Sequence, residues 1–257
     1  MIIPYRVRAD NTMLLRKLIW QIYAPIYDSL LVLMPYTTYL KQCGDVLGVH
    51  HHETLLDVGC GTANLLLPIS DGTVVAMDSS TAMLRLAKIK RFVINRLRRS
   101  NQTVDFIKAD ATMILPFADN SFDCVASLSM IHSVGNPIAS VEEMVRVLKP
   151  GGRILLTVPL PTTTKAIVQE HIGRASLLRL LLTILLLPIL LGVLAINVLQ
   201  ESWNTRGIYY FLKTEDLVSI ALKSGLAIVR SETCFSGTYT LLLATKPTKI
   251  EADKRMD

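Results

Sequence analysis

From Glu53 onward the chain alternates between two hydrophobic rhythms. Short apolar runs at 54–58, 73–77, 104–107, 122–127 and 153–158 are separated by longer stretches whose apolar positions recur at helical spacing. Strand-length runs alternating with helical patterns predict parallel strands joined by crossover helices. A helix near 214–223 and two further strand-like runs, 227–233 and 238–244, close the chain, with Gly237 as the hairpin turn between the last two. Upstream, Leu14, Leu15, Leu18, Ile19, Ile22, Tyr23 and Ile26 fall at helical spacing within 11–47, where Pro25 and Pro35 interrupt the run. Two or three N-terminal helices are predicted.

One segment breaks the rhythm. Residues 177–199, LLRLLLTILLLPILLGVLAINVL, are 23 positions with Arg179 as the sole charge. A straight helix of that length rises about 35 Å, enough for a bilayer core of about 30 Å, so hydropathy alone reads a transmembrane helix. Topology argues against a simple crossing, because strands on both sides of the segment must join one sheet. Pro188 and Gly192 suggest a bent or re-entrant element, or a helix lying in the membrane interface with Arg174, Arg179 and Trp203 as anchors. A wholly buried core helix is the competing reading.

Composition sharpens this picture in two places. The 257 residues suit one large α/β domain. Hydrophobic residues make up 51% of the chain and mean hydropathy is +0.40, an excess concentrated in the leucine-rich segment. The net charge of +6 favours an anionic partner, phospholipid headgroups or nucleic acid. Lys88, Lys90, Arg91, Arg96, Arg98 and Arg99 form one basic cluster, and Arg6, Arg8, Arg16 and Lys17 another. They suit an acidic surface, or simply form solvated helix faces. Cys43, Cys60, Cys124 and Cys234 are too scattered for a disulfide framework or a zinc site and fit a reducing cytoplasm. The N-terminal stretch lacks the pattern of a signal peptide. Three consecutive histidines, His50 to His52, cannot all face one ion in a regular element and read as exposed loop.

The chemistry starts at Leu55-Leu56-Asp57-Val58-Gly59-Cys60-Gly61-Thr62-Ala63-Asn64, an apolar strand closing on a glycine turn. Gly59 and Gly61 let the backbone approach a ligand at the carboxyl end of the strand, where doubly wound sheets bind. A dinucleotide fingerprint would place its third glycine where Asn64 stands. Asp57 would also repel a pyrophosphate, whereas it suits a ligand bearing an ammonium group, such as the methionine end of S-adenosylmethionine. Twenty-one residues on, Val74-Val75-Ala76-Met77-Asp78 ends a second strand in a carboxylate placed to accept both ribose hydroxyls. Asp110, after the third strand, accepts from an adenine amino group or serves as a helix-cap or turn residue.

These blocks, with KADATMILPFADNSFDCV at 108–125 and EEMVRVLKPGGRILLTVP at 142–159, resemble the small-molecule branch of the class I S-adenosylmethionine-dependent methyltransferases, the methyltransferase type 11 group typified by quinone-biosynthesis C-methyltransferases. The resemblance covers about 53–160 and 208–247. It implies a doubly wound, Rossmann-like α/β sheet of seven strands with an antiparallel last strand, an N-terminal helical lid and, peculiar to this chain, an apolar helical insertion after the fifth strand. The corresponding division is a lid at 1–50, a core at 51–160 and 208–247, the insertion at 161–207 and a polar tail at 248–257. The implied cofactor is S-adenosylmethionine. Asp57, Gly59, Cys60 and Gly61 would hold it from the first strand, Asp78 and Ser79 from the second, and Asp110 and Ala111 from the third.

The resemblance also places Tyr23 to Asp28 (YAPIYD) in the lid, where Tyr27 either touches the acceptor or packs between lid helices. His132, after the fourth strand, is either a general base or a packing residue, since methyl transfer is an in-line displacement that depends mainly on positioning. The insertion lies where many family members build their acceptor pocket, which implies a lipophilic acceptor such as a lipid or a prenylated quinone. Ser127-Leu128-Ser129-Met130 is not the Asn-Pro-Pro-aromatic signature of enzymes that methylate base or amide nitrogens. That absence and the apolar insertion disfavour nucleic acid. The expectation is methyl transfer to a lipophilic small molecule at the cytoplasmic face of a membrane. An RNA-directed enzyme and a non-catalytic cofactor-binding membrane protein are the alternatives.

Overall fold

The computed structural model describes residues 11–98, 102–160, 165–204 and 212–248. Its centre is a seven-stranded sheet of β1 (Thr54–Val58), β2 (Thr73–Asp78), β3 (Val104–Lys108), β4 (Phe122–Leu128), β5 (Leu148–Pro159), β6 (Ala227–Cys234) and β7 (Tyr239–Thr245), in the order β3-β2-β1-β4-β5-β7-β6. The first five strands are parallel, and β7 runs antiparallel to both neighbours. The order reverses between β1 and β4, and in such sheets the crevice outside the carboxyl ends at that point receives the ligand.

Both faces of the sheet are covered, which is why the strand sequences read as continuous apolar runs. On one face Leu56, Val58, Met77, Val125 and Leu156 pack with Val141 and Met144 of α4 (Pro137–Val147) and with Leu217 and Ala221 of α8 (Thr214–Lys223). On the other, Leu55, Val74, Ala76, Cys124 and Leu155 pack with Tyr39, Leu40, Cys43 and Leu47 of α2 (Met34–Leu47) and with Leu84 and Ala87 of α3 (Thr81–Arg98). Truncating one of these fully buried leucines to alanine costs about 2–5 kcal/mol.

The N-terminal pattern resolves into α1 (Asn11–Tyr27), a 3-10 turn over Asp28–Val32, and α2. Pro25 sits in the last turn of α1, and Pro35 opens α2, where its missing N–H has no helical partner to lose. The fifth strand starts five residues earlier than the apolar run suggests. Pro150-Gly151-Gly152 does not end the pairing but forms an irregularity within it, the register jumping from Phe122–Leu148 to Cys124–Arg153. Gly152 is required there, because a Cβ would stand 2.8 Å from the carbonyl oxygens of Asp123 and Lys149.

The insertion forms three helices, α5 (Lys165–Arg174), α6 (Leu177–Leu185) and α7 (Leu187–Asn204). The straight 35 Å rod does not form: α6 and α7 bend by 71° at Leu186. Pro188 has no N–H to donate to the preceding turn and its ring excludes the carbonyl there, so the helix restarts. Among the described residues no single helix is long and apolar enough to cross a membrane. The buried-core alternative fails as well, since α6 buries none of its residues. Arg6, Arg8 and Arg99, the side chains of Arg16, Lys17, Arg98 and Trp203, and all of the polar tail but Thr248 lie outside the described residues.

Candidate active site

At the carboxyl end of β1 the chain turns through Gly59 (φ 73°), Gly61 (φ 54°) and Ala63 (φ 61°). The N–H groups of Gly59 and Cys60 donate to the Met77 carbonyl at 2.8 and 2.9 Å, folding the loop across the end of β2. A Cβ at Gly59 would lie 2.4 Å from Cγ of Met130, so the position admits only glycine. Asp78, at the tip of β2, accepts from Gly61 N–H at 2.9 Å and from Ser80 N–H at 2.7 Å. One acidic side chain thus sets the loop, and each of its oxygens keeps acceptor capacity for a ribose hydroxyl. Burial raises the Asp78 carboxyl, while backbone N–H groups oppose the shift.

Asp57 is the unusual member. It is 2% exposed, and its Oδ2 has no hydrogen-bond partner. Burial, followed by the charge of Asp78, raises its carboxyl to about 7. A buried, unsatisfied carboxylate beside a second carboxylate is costly until a cation arrives. The ammonium and sulfonium groups of S-adenosylmethionine fit that demand, whereas a pyrophosphate would worsen it. Asp110 behaves as a turn residue: its Oδ1 accepts from the N–H and hydroxyl of Thr112 at 3.0 and 2.7 Å. The Ala111 carbonyl accepts from Ser140 Oγ at 2.8 Å, tying the β3 loop to α4.

A cavity of about 690 Å³ runs from this loop to the insertion. Asp57, Gly59, Cys60, Gly61, His132 and Tyr27 line it. Asp78, Ser79, Asp110 and Ala111 lie beside it at the ends of β2 and β3, so the expected cofactor set divides between the cavity and the adjoining strand ends. The middle of the cavity is aromatic, with Tyr23, Tyr27, Tyr36, Tyr39, Phe235 and Tyr239. Burial raises all five tyrosine hydroxyls above their ordinary range, so they act as neutral hydrogen-bonding groups. Tyr27 packs within the lid, its ring edge-on to Tyr23 at 5.4 Å and its hydroxyl accepting from Tyr36 at 3.3 Å, and its ring also borders Gly61. His132 sits on a 3-10 turn after β4, 5% exposed, among the residues that line the cavity.

Two groups escape sequence reasoning. Asp28, the last residue of YAPIYD, accepts from Thr62 Oγ1 at 2.5 Å, Asn64 Nδ2 at 3.1 Å and Lys90 Nζ at 2.9 Å. Lys90 also bonds the side chains of Thr62 and Asn64. It therefore belongs to the site, not to a surface cluster, and Arg91 is likewise buried, donating to the Gln102 carbonyl at 3.2 Å. The second group anchors the insertion. His171 Nδ1 accepts from Met34 N–H at 3.1 Å and its Nε2 lies 2.8 Å from Thr183 Oγ1. Arg179 reaches the Val32 carbonyl and Thr37 of the lid, so it pins α6 to the protein where an interfacial anchor was expected. Arg174 is exposed and pairs with Glu170 at 2.8 Å. His50 and His52 stack in the turn before β1, and no metal-binding cluster occurs among the described residues.

The model of the methyltransferase domain family matches residues 56–156. The demethylmenaquinone methyltransferase of Clavibacter sepedonicus is 30% identical over 201 residues, 76% of this chain and 74% of that enzyme. The one from Renibacterium salmoninarum is 39% identical over 114 residues, so the match spans only 44% of either chain. Among solved structures, the [4+2]-cyclase SpnF matches 82% of this chain and 81% of its own at TM-score 0.58 and 18% identity. Geranyl diphosphate C-methyltransferase from Streptomyces coelicolor, solved with S-adenosyl-L-homocysteine, matches 82% and 79% at TM-score 0.56 and 13% identity. These structures share the fold alone, and a cyclase among them leaves the reaction to the site. With a relative of 30% identity aligned over about three quarters of both chains, and a loop whose unsatisfied carboxylate calls for a cationic cofactor, the chain belongs to the class I S-adenosylmethionine-dependent methyltransferases.

Proposed function

We propose that this chain transfers the methyl group of S-adenosylmethionine to a hydrophobic, quinone-like small molecule at the cytoplasmic face of a membrane. The observation that carries the reading is the single cavity joining the Asp57 loop to an aromatic and then aliphatic chamber roofed by the insertion. Relatives named demethylmenaquinone methyltransferase in Clavibacter sepedonicus and ubiquinone/menaquinone biosynthesis C-methyltransferase in Pseudomonas putida support a ring acceptor of this class.

The cofactor supplies an electrophilic methyl on a sulfonium. Asp57 receives the ammonium of its methionine end, Asp78 its ribose hydroxyls, and Asp110 its adenine amino group. The Tyr27–Tyr36–Tyr39–Phe235 wall holds a flat ring and excludes water from the chamber. His132 takes the proton that an acceptor hydroxyl or ring carbon gives up as the methyl arrives. Exposed Leu177, Leu178, Leu181, Ile184 and Leu185 on α6 and Val168 and Ile172 on α5 form an apolar surface, and contact with lipid would remove it from water.

The test is incubation of the purified chain with radiolabelled S-adenosylmethionine and a total lipid extract of its host, followed by phase partition. Label in the organic phase is the expected result. Cofactor binding without organic label, for any lipid fraction, would refute the lipophilic acceptor.

A further inference from the structure

The reaction chamber is continuous with the outer surface of the insertion. Val168 and Ile172 of α5, Ile184 of α6, and Leu187, Leu191 and Val198 of α7 all line the cavity. The same six side chains are 47–68% exposed. Ligand pockets ordinarily set a few polar groups among their apolar lining to fix and select the ligand, yet every one of these six exposed lining side chains is aliphatic. The polar side chains nearby are already engaged: His171 with Met34 N–H and Thr183, and Asn197 with the Tyr23 hydroxyl at 3.3 Å. Beyond the rim, Leu177, Leu181 and Leu185 continue the aliphatic surface outward.

The roof is held along two lines with the mouth between them. On one side His171 and Arg179 fasten α5 and α6 to the start of α2. On the other, Val193, 3% exposed, and the Tyr23–Asn197 bond fasten α7 to α1. The 71° bend at Leu186 opens the angle between the two helices. Leu180 and Ile184 of α6 and Leu187, Leu190 and Leu194 of α7 line the cavity on either side of that bend.

We propose that this mouth is a lateral entrance for an acceptor carrying a long apolar chain. The ring lies at the Asp57–His132 end and the chain trails between α6 and α7 into the bilayer. The inference rests on the acceptor class proposed above and adds the route by which it enters. Moving such a chain from bilayer to an aliphatic mouth exchanges one apolar surrounding for another, whereas passing it through water would expose the apolar surface of every CH₂ group.

Two leucines allow the mouth to be separated from general adhesion to lipid. Leu181 and Leu191 are each 55% exposed, but only Leu191 lines the cavity. The measurement is kcat/KM in dodecyl maltoside micelles for a naphthoquinol without a side chain and for the same ring with a long prenyl chain. The readout is the ratio of the two. The wild-type chain should prefer the prenylated ring at least tenfold. Leu181→Asp should keep that ratio, and Leu191→Asp should lose it, because a carboxylate in the mouth repels the chain. Equal ratios in the two variants would overturn the proposal.

If the wild-type chain methylates neither probe, the acceptor class fails, and the mouth is then read without turnover. In a Trp203→Phe background the fluorescence of Trp20, which lines the cavity, should be quenched by a bromine-terminated long-chain alcohol. Quenching should survive in Leu181→Asp and vanish in Leu191→Asp. Quenching absent from both, or present in both, would overturn the entrance. A dimer that both substitutions dissociate, with no chain preference, would assign the face to a second copy and overturn it too.

Discussion

Asp28 of the lid and Lys90 of α3 stand 2.9 Å apart, and both bond Thr62 and Asn64 of the glycine loop. The lid is therefore fastened to the glycine loop, through a pair whose lysine is mostly buried. Burial lowers the Lys90 ammonium and Asp28 counters this, so losing Asp28 would leave the cation short of its strongest partner. Asp28→Ala should cost about 2 kcal/mol and lower Tm by roughly 4–8 °C for a chain of this size. It should weaken cofactor binding in parallel and speed hydrogen exchange in α1. Calorimetry and exchange mass spectrometry check both. A stable variant with a fast-exchanging lid would leave the latch as a gate rather than a support.

Cofactor affinity should depend on pH through Asp57. Its carboxyl, raised to about 7 by burial and by Asp78, must be ionised to receive an ammonium. The folded chain without cofactor holds a proton that binding releases, so affinity rises as pH increases through 7 and levels off above it. Below 7 the loss approaches tenfold per pH unit. Calorimetric titration in buffers of different ionisation enthalpy measures the released proton directly. Asp57→Asn should remove the slope and reduce affinity about 10- to 100-fold, the worth of a charge-assisted hydrogen bond.

What the sequence makes legible follows from how local each signal is. β1 (Thr54–Val58) agrees with its apolar run at both ends, because a strand buried on both faces is mostly apolar, here Leu55, Leu56 and Val58 around Asp57, and a Gly turn closes it. α8 agrees equally well, at Thr214–Lys223. β5 does not, because a Pro-Gly-Gly segment that ordinarily ends an element is here carried as an irregularity between two paired stretches. The bend at Leu186 was visible in Pro188, but that α6 packs none of its residues inside was not, since a leucine repeat looks the same against protein, lipid or water. Asp57 and Asp78 were legible from type and spacing. Asp28 and Lys90 were not: they lie 62 residues apart, and a lysine on an amphipathic helix carries no mark of a buried partner.

Ala63 carries a Cβ in a conformation that glycine adopts without steric cost. It is a buried non-glycine residue at φ 61°, ψ 41°, a left-handed geometry that costs about 1–2 kcal/mol for a residue with a Cβ. Ala63→Gly relieves that cost but loses a buried methyl, about 0.8 kcal/mol, and adds unfolded-state entropy of about 0.4–1 kcal/mol. The net change should lie within about 1 kcal/mol of zero. Ala63→Val, whose β-branch crowds the same geometry, should destabilise by about 2–3 kcal/mol. Denaturant titration of both variants checks the pair, and a large gain for glycine would mean that the methyl packs poorly.

The insertion's hold on the lid should loosen in acid. His171 accepts Met34 N–H at Nδ1, so its proton sits on Nε2 and points to Thr183, whose hydroxyl donates to the Arg179 carbonyl at 2.8 Å. Burial, and then the nearby Arg179 charge, lower the imidazole from its ordinary value. The folded chain therefore takes up this proton less readily than the unfolded chain. The stabilisation is complete above the ordinary histidine value of about 6.5 and is lost as pH falls through the lowered one. Protonation would turn Nδ1 into a donor facing a donor, and α5 with α6 would part from α2. Limited proteolysis between α5 and α6 should accelerate as pH falls below the ordinary histidine value of about 6.5 in the wild-type chain, with the sheet still folded by circular dichroism. His171→Gln, which offers a carbonyl to Met34 N–H without titrating, should flatten that dependence, and acceleration persisting in that variant would place the acid-sensitive contact elsewhere.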